Sequence, residues 1–494
     1  MLWPTDPGAR RRVAGASLLF VAVFGVAAFS AARPGQLGSL GGITDEYFAL
    51  GAKLRVNGTL GLERNEPSAL RPPGYPAFVA AVLWALVEPP ARLGAGEFAA
   101  RGRGALYLCQ AALLGLATST LFLWLLRRFH LLAALAAAAL LGLNPHSVVL
   151  TGLSHYDLLH WLLLVVSAWA TDEALRSRKP LAGLFGAGAL WGLSNLVRPV
   201  TLLLPAFLLG ALWLWQRLSL RTACARAFAL GLGMAVALAP WTARNYAVTG
   251  RLVPVADNPW GTFWGQTVKP LPPDPRGYVW FELFEHDVMP VFTRVTGSPT
   301  YDYVLQNRLN VELEREFRNE ALRNLRERPT VYLGNALATF WSFNADVAAV
   351  LLTAYERVQE PDPGFRGRAA GGRTPPQGWF LPGEGTPLPP SSLEKAFRAF
   401  AVVVSLLALA GAWVGARTRS PTVLVAVAAY ACVASTHTVA SMHFLHYYVK
   451  WPFLLACLAC LLDSWAGERR AAGRRVAVGL LVGGLCLTAW ALWP

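Results

Sequence analysis

The sequence predicts an all-helical membrane protein that crosses the bilayer about eleven times. Hydrophobic residues make up 54% of the 494-residue chain and charged residues only 15%, a balance that a water-soluble protein of this size would hardly tolerate. The apolar residues form separate runs, many of them close to the roughly 20 residues that a helix needs to cross a membrane. Basic clusters lie between these runs, which is the pattern of cytoplasmic loops.

The net charge of +15 does not indicate a nucleic-acid partner. The Arg residues lie mostly beside and between apolar runs, where cytoplasmic loops meet anionic lipid headgroups. The six cysteines also lie in or beside these runs, and Cys457-x-x-Cys460 has no further Cys or His at ligand spacing. The sequence therefore predicts contact with membrane lipids and neither a disulfide framework nor a zinc site.

The first apolar run sets the predicted orientation. Three arginines precede residues 13–32, which predicts a signal anchor with a cytoplasmic N-terminus and places the first loop, residues 33–104, outside. The next run, residues 75–87, is flanked by prolines and is too short to cross comfortably, so we expect a helix lying at the outer surface. If residues 75–87 crossed, the basic cluster at 176–179 would lie outside, against the positive-inside rule.

Counting onward gives three parts. Residues 1–241 form an N-terminal module with spans at 13–32, 105–126, 131–150, 158–175, 181–197, 202–215 and 228–241. Residues 399–494 form a C-terminal module with spans at 399–416, 422–435, 451–462 and 476–493. Between them, residues 242–398 are predicted to lie outside, with a helix at 302–328, an interfacial helix at 331–354 and a linker rich in Pro and Gly at 361–390.

Uncommon polar residues gather on the predicted outer side. Asp45 and Glu46 lie in the first loop, where a carboxylate at the membrane surface can serve as a general base; the pair can also be an ordinary solvated acidic loop. Arg198 and Arg244 lie at the predicted outer ends of spans, where an arginine can form bidentate hydrogen bonds to a phosphate. Arginines at such positions can also simply extend their side chains toward lipid headgroups. The other candidates on this side are Arg71, Tyr75, Asp157, Asn245, His446, Tyr447 and Lys450.

The order of these residues resembles that of the polyprenyl-phosphate-sugar glycosyltransferases of the GT-C superfamily. The nearest likeness is to bacterial members of the protein O-mannosyltransferase and lipid A aminoarabinose transferase group, over about residues 10–345. No single motif decides the resemblance. It is carried by Asp45-Glu46 in the first outer loop, Pro72-Pro73-Gly74-Tyr75-Pro76, Asp157 after the run 144–156, Leu196-Val197-Arg198-Pro199, and Pro240-Trp241 with Arg244-Asn245.

The resemblance implies an active site at the outer surface, with Asp45 as the catalytic base and Asp157 as the second-loop acid. The chain departs from the family pattern late in the sequence. Relatives often carry an Arg-Tyr pair before a Pro there, whereas this chain has His446-Tyr447-Tyr448-Val449-Lys450 before Trp451-Pro452. His446 or Lys450 would have to replace that Arg.

The predicted function is therefore transfer of a sugar from a polyprenyl-phosphate donor to a hydroxyl acceptor, on the periplasmic side of a bacterial inner membrane and with inversion. Asp45, with Glu46 beside it, supplies the base, and Arg71, Arg198, Arg244 or Lys450 stabilises the leaving phosphate. Two alternatives are a transporter or flippase for lipid-linked glycans and a polymerase or ligase that uses a glycan pyrophosphate.

The chain has few ionisable residues part-way along its spans, which weakens the transporter alternative. The acceptor stays open between a protein, a lipid and a polysaccharide. No ligand cluster of recognisable spacing points to a cofactor, so no metal ligand is assigned, and the use of a divalent metal stays open.

The topology predicts the outcome of reporter fusions. Fusions after Asp157 and within residues 361–390 should report a periplasmic location, and a fusion after Arg178 should report a cytoplasmic one, because every basic cluster then lies inside. Alkaline phosphatase and green fluorescent protein fusions measure the two locations. A cytoplasmic signal at Asp157 would contradict the outer position of the whole candidate site.

Overall fold

The computed structural model describes residues 7–31, 45–61, 67–270, 287–299, 309–344, 391–440, 449–468 and 470–492, and within the second of these ranges it describes side chains from Tyr47 onward. All regular secondary structure in these residues is helical. The first half contains α1 (Pro7–Ala31), α2 (Asp45–Asn57), α3 (Gly74–Leu86), α4 (Pro90–Leu93), α5 (Ala95–Leu126), α6 (Leu131–Gly142), α7 (Pro145–Leu150), α8 (Asp157–Arg176), α9 (Pro180–Val197), α10 (Leu204–Leu214) and α11 (Leu220–Thr249). The second half contains α12 (Pro259–Val268), α13 (Met289–Thr296), α14 (Asn310–Glu327), α15 (Pro329–Asn344), α16 (Ser392–Thr418), α17 (Pro421–Ala440), α18 (Trp451–Glu468) and α19 (Arg470–Leu492).

Seven of the described helices are long and apolar enough to cross a membrane, judged by length and composition. They lie in α1, α5, α8, α9, α11, α16 and α17, and each matches one predicted span. The other predicted spans correspond to the shorter apolar helices α6, α10, α18 and α19, and α3 is the helix that we expected at the outer surface. The all-helical, polytopic membrane fold predicted from the sequence is thus confirmed.

Several predicted boundaries differ from the structure. The run 131–150 is two helices, because the Asn144 side chain accepts from the Ser147 amide and donates to the Leu140 carbonyl, ending α6 and capping α7. Pro145 occupies the first turn of α7, where its missing N–H is not needed. The predicted module boundary at residue 241 falls inside α11, which continues to Thr249 after Pro240.

The outer segment is described only in part. Within the described residues, the predicted helix at 302–328 contains α14 and the predicted helix at 331–354 overlaps α15. Residues 302–308 and 345–354 lie outside the described residues, and the interfacial position stays a prediction. The predicted linker at 361–390 lies outside the described residues.

Small residues let α9 and α11 approach each other closely. A Cβ atom on Gly188 would lie 2.0 Å from the Leu230 carbonyl oxygen, and one on Gly233 would lie 1.9 Å from the Phe185 carbonyl oxygen. Neither helix backbone leaves room for a methyl group at these two points. This is the small-residue packing by which membrane helices gain van der Waals contact without a hydrophobic driving force between them.

A buried acid joins three helices at the end of α8 that is predicted to be cytoplasmic. Asp172 is completely buried and accepts hydrogen bonds from Trp124 Nε1 at 3.1 Å, Arg128 Nε at 2.9 Å, Arg176 Nε at 3.0 Å and Thr422 Oγ1 at 3.0 Å. Because Thr422 lies on α17, this carboxylate ties α5 and α8 to the C-terminal module. A buried carboxylate with this many donors is well compensated for its lost hydration.

The close approach of α9 and α11 generates a stability prediction. Gly188→Ala should destabilise the protein by about 1 to 3 kcal/mol, because the new methyl group meets a backbone carbonyl that cannot move aside cheaply. Gly186→Ala is the matched control, since it lies on the same helix and its added Cβ would meet no atom within 4 Å. The thermal unfolding midpoint in detergent measures both, and equal midpoints would contradict the packing described.

Candidate functional site

An aromatic group covers the start of α8. The Tyr47 ring on α2 lies edge-on to the Tyr156 ring at 5.1 Å, to the Tyr75 ring at 5.8 Å and to the His155 ring at 6.2 Å. Edge-on pairs at these separations are favourable contacts for aromatic rings. The first outer loop is thereby packed directly on the loop that precedes α8.

The predicted substrate-binding residue Tyr75 is buried in this group. Its hydroxyl donates to Gln110 Oε1 at 3.0 Å, and Gln110 Nε2 donates to the carbonyls of Thr151 at 3.1 Å and Leu153 at 2.5 Å. Tyr75 and Gln110 are both fully buried. Tyr75 therefore fixes the path of the chain toward Asp157 through Gln110.

Asp157 is the first residue of α8 and is only 2% exposed. Its Oδ2 lies 2.7 Å from His155 Nδ1, and its Oδ1 lies 3.6 Å from Arg198 Nη1. The N-terminus of a helix also favours a negative charge. A carboxylate is thus held between two cationic or potentially cationic groups at the end of a predicted span.

Arg198 reaches this carboxylate because α9 ends directly before it. Its backbone is extended, with φ −155° and ψ 118°, which is the conformation that the following Pro199 favours. The guanidinium is buried, lies 5.4 Å from the centre of the Tyr156 ring and places Nη2 2.8 Å from His437 Nε2. The predicted Arg198 and Asp157 therefore lie together, as their predicted common side of the membrane requires.

The contacts continue from His437 to Lys450. The His437 ring stacks on Phe343 at 5.3 Å, and Lys450 Nζ lies 5.0 Å from the centre of the Phe343 ring and donates to the Phe343 carbonyl. His437 and Lys450 are both fully buried. We call Asp157, Arg198, His437, Phe343 and Lys450 the buried polar chain; it joins α8, α9, α17, α15 and the start of α18.

Arg71 lies at the aromatic end of this arrangement. Its guanidinium is 6.0 Å from the centre of the Tyr47 ring, whereas that of Arg198 contacts the neighbouring Tyr156 ring. Each ring of the Tyr47–Tyr156 pair is thus covered by one arginine, at separations where a cation and a ring attract each other. Two positive groups are brought to one aromatic surface.

The two predicted catalytic acids stand at the start of α2. The helix begins at Asp45, two residues before Tyr47, so its first turn adjoins the aromatic group over Asp157. The side chains of Asp45 and Glu46 lie outside the described residues, as do His446 and Tyr447. Their roles stay predictions.

Arg244 and Asn245 lie within α11 and bind main-chain carbonyls. Arg244 donates to the Ser68 carbonyl at 2.7 Å and to the Leu60 carbonyl at 3.3 Å, and Asn245 Nδ2 donates to the carbonyls of Val253 and Val255. These contacts anchor the first outer loop and the segment after α11 to each other. The phosphate contact predicted for Arg244 stays a prediction, and the observed contacts give it the role of a loop anchor.

The buried histidines that the sequence analysis missed include His437 and His160. His437 lies just beyond the predicted span 422–435, and His160 lies one turn after Asp157 with neither ring nitrogen hydrogen-bonded within the described residues. The only available signal was a single histidine in or beside an apolar run. Within the described part of the chain, no group of three or more His, Cys, Asp or Glu side chains could hold a metal ion.

A further buried acid joins α14 to α12, and neighbouring hydrogen bonds join this segment to the first loop. Glu314 on α14 accepts from the amides of Trp260 at 2.8 Å and Gly261 at 3.1 Å, at the start of α12. Nearby, Asn310 donates to the Asp257 carbonyl, and the Asp257 amide donates to the Ala69 carbonyl at 2.8 Å. This outer segment therefore packs next to Arg71.

The pKa of the Glu314 carboxyl is raised from 4.5 to about 7. Burial is the largest cause and the neighbouring Asp257 also raises the pKa, while the two amide hydrogen bonds and Arg251 lower it. Burial also raises the pKa of Asp257. Both shifts favour the protonated acids. The junction of α12 and α14 thus carries a carboxyl group that titrates near neutral pH.

These features define a polytopic membrane protein built around a buried polar chain beneath an aromatic loop. No family model and no curated protein sequence matches the chain. Among solved structures, it is similar to the Archaeoglobus fulgidus oligosaccharyltransferase in complex with Zn and sulfate, at 14% identity and a TM-score of 0.50 over 97% of this chain. The match spans 52% of that protein, so this chain covers about half of its length.

Two further solved structures match less closely. The archaeal oligosaccharyltransferase AglB from Archaeoglobus fulgidus, in complex with an inhibitory peptide and a dolichol-phosphate, matches 96% of this chain and 56% of its own, at 14% identity and a TM-score of 0.48. ArnT from Cupriavidus metallidurans bound to undecaprenyl phosphate matches 93% of this chain and 80% of its own, at 15% identity and a TM-score of 0.36. At 14% identity, the match with a TM-score of 0.50 shows a shared fold, which is the fold that the GT-C resemblance predicted.

The raised pKa of Glu314 predicts a pH-dependent stability. Its pKa in the folded protein, about 7, lies above the ordinary value of 4.5, so its contribution is greatest below about pH 4.5 and is lost as the pH rises through about 7. The unfolding midpoint should therefore fall between about pH 5 and pH 8, and Glu314→Gln should flatten this slope. Glu312→Gln, at an exposed position of the same helix, is the control; an unchanged slope in Glu314→Gln would contradict the assignment.

Proposed function

We propose that this protein is a glycosyltransferase that takes a sugar from a polyprenyl-phosphate donor and passes it to a hydroxyl acceptor, on the periplasmic side of a bacterial inner membrane. The observation that carries the proposal is the position of Arg198, whose buried guanidinium lies between Asp157 and His437 at the end of a span. A fixed cation at the level of lipid headgroups suits the phosphate of a lipid-linked donor. The GT-C fold supports this interpretation.

The reaction needs stabilisation of the leaving phosphate, because negative charge develops there as the bond to the sugar breaks. Arg198 and Arg71 lie against one pair of aromatic rings, and Lys450 ends the buried polar chain that begins at Asp157. We assign Arg198 as the principal phosphate ligand and Arg71 and Lys450 as supporting cations. Preorganised charges of this kind act most strongly where water is excluded.

Asp157 acts here through Arg198. It is buried and held by His155 and Arg198, so a proton taken from an acceptor would have to displace the pairing that holds the arginine. Asp45 remains the better base, because it begins α2, whose first turn carries Tyr47 and packs on the loop before Asp157. Successive helix positions point about 100° apart, so Asp45 and Glu46 cannot both face one atom.

The proposed reaction is a single displacement. The acceptor hydroxyl oxygen attacks the anomeric carbon, its proton passes to the Asp45 carboxylate, and the bond from that carbon to the phosphate oxygen breaks with its electron pair remaining on the phosphate. The attack from the opposite face inverts the anomeric carbon. A lipid phosphate ionises without help, so this step needs no general acid.

The name of the Archaeoglobus fulgidus structure suggests a second donor class. That protein is an oligosaccharyltransferase, and a lipid-linked oligosaccharide would leave with the same phosphate chemistry as a single sugar. The buried polar chain contacts only the phosphate end in our proposal, so both donors are compatible with it. A single sugar is our first choice because the sequence motifs resemble those of the bacterial monosaccharide transferases.

The direct experiment is a transfer assay with purified protein in detergent, a radiolabelled undecaprenyl-phosphate sugar and solubilised envelope fractions as acceptors. Asp45→Asn should lower transfer by about 100-fold or more, because it removes the basicity and keeps the shape. Glu46→Gln is the matched control and should lose less. The product is a new glycosidic bond, which distinguishes a transferase from a flippase that only moves its substrate.

The transfer assay, combined with a thermal unfolding measurement, distinguishes the proposed roles of Arg198 and Arg244. Arg198→Ala should weaken donor use by roughly 10- to 100-fold, the weight of a hydrogen bond to a charged group, whereas Arg244→Ala should first lower the unfolding midpoint because it frees the loop carbonyls that it binds. Near-full transfer by Asp45→Asn would contradict the assignment of Asp45 as the base, and Asp157 would then be the next candidate.

Unchanged donor kinetics in Arg198→Ala would contradict the assignment of Arg198 as the phosphate ligand.

A further inference from the structure

His437 is bonded at both nitrogens of its ring. Nδ1 lies 2.8 Å from the carbonyl oxygen of Val433, one turn earlier on α17, and Nε2 lies 2.8 Å from Arg198 Nη2. A third contact, the stacked Phe343 ring at 5.3 Å, covers one face. Three elements, α17, α15 and the residue after α9, therefore hold this imidazole in one orientation.

The partners of the two nitrogens determine the protonation state of the ring. A carbonyl oxygen can only accept, so Nδ1 must carry the hydrogen that it receives. A guanidinium can only donate, so Nε2 must present its lone pair. Both hydrogen bonds form together only in the neutral tautomer with the proton on Nδ1, and a protonated ring would instead face the positive charge of Arg198.

This arrangement gives His437 a specific effect on Arg198. A guanidinium is a planar group with several N–H donors, and the strength with which it binds a phosphate depends on its orientation. The bond to Nε2 fixes one terminal nitrogen, and Asp157 Oδ1, 3.6 Å from Nη1, attracts the other. These two contacts, one on each terminal nitrogen, define the plane of the Arg198 guanidinium. The centre of the Tyr156 ring lies 5.4 Å from the guanidinium carbon and covers the group.

We propose that His437 is a positioning residue, which holds the Arg198 guanidinium in the orientation that binds the phosphate of the lipid donor. This inference rests on the proposed function of Arg198. His437 itself does not touch the reacting atoms. It acts as a hydrogen-bond acceptor supplied by the C-terminal module to an arginine of the N-terminal module.

The structure offers a pair of matched substitutions for the test. The side-chain amide of Gln reaches about as far as Nε2 of a histidine, so His437→Gln can still present an oxygen to Arg198. The amide of Asn reaches only about as far as Nδ1, so His437→Asn can still donate to the Val433 carbonyl and leaves Arg198 without its acceptor. The two variants are both neutral and polar, and they separate the two hydrogen bonds.

Binding of undecaprenyl phosphate to the purified protein in detergent is the readout, with undecaprenol as the probe that lacks the phosphate. His437→Asn should weaken undecaprenyl phosphate binding by about tenfold or more, the weight of one hydrogen bond to a charged group, and His437→Gln should stay close to the wild type. Undecaprenol should bind all three proteins equally. In an Arg198→Ala background, His437→Asn and His437→Gln should bind undecaprenyl phosphate alike, because the two residues act as one unit.

Three results distinguish the possible failures. Equal binding by His437→Asn and His437→Gln, or a difference that persists without Arg198, would overturn the positioning role while the proposed function stands. A matching loss in Tyr430→Phe, which breaks the bond from the same helix to Asn344 without contacting Arg198, would show a merely structural effect. Wild-type protein that binds undecaprenyl phosphate no better than undecaprenol would instead refute the proposed donor, and the inference with it.

Discussion

The structure depends on how one buried arginine is compensated. Arg198 is 6% exposed at the end of an apolar helix, and a charge taken out of water costs several kcal/mol unless charged and hydrogen-bonding partners replace the lost hydration. Asp157 supplies the opposite charge, His437 the acceptor and Tyr156 the ring face. None of these partners lies on the same helix as the arginine, so the helices must assemble before the charge is compensated.

This requirement links the two predicted modules of the protein. Asp157 and Arg198 belong to the N-terminal helices, whereas His437 lies on α17 and is stacked on Phe343 of α15. Asp172 makes a second link through Thr422 at the beginning of α17, some distance along the same pair of helices. α17 therefore contacts α8 directly through Thr422 near one end, and near the other end it is joined to α8 through Arg198. The proposed phosphate ligand is thus also a structural link between helices.

The sequence predicted the fold and part of the site for reasons that can be separated. Span length and the positions of basic residues depend on the membrane alone, so the order of helices and the convergence of Asp157 with Arg198 followed from them. His437 carried no spacing signature, because one histidine beside an apolar run looks the same whether it fills space or accepts from an arginine. The anchoring role of Arg244 was equally invisible, since its partners are the carbonyls of Ser68 and Leu60, and carbonyls are present at every residue.

The two acids of α8 are compensated for burial to different degrees. Asp172 accepts hydrogen bonds from four donors at 2.9 to 3.1 Å. These donors satisfy the carboxylate within the protein. Asp157, roughly 22 Å away along the helix axis at about 1.5 Å per residue, contacts His155 closely but holds Arg198 at 3.6 Å, beyond hydrogen-bond length. The tighter network around Asp172 ties α5, α8 and α17 together, whereas the looser contact between Asp157 and Arg198 is the one at which we propose the phosphate of the donor binds.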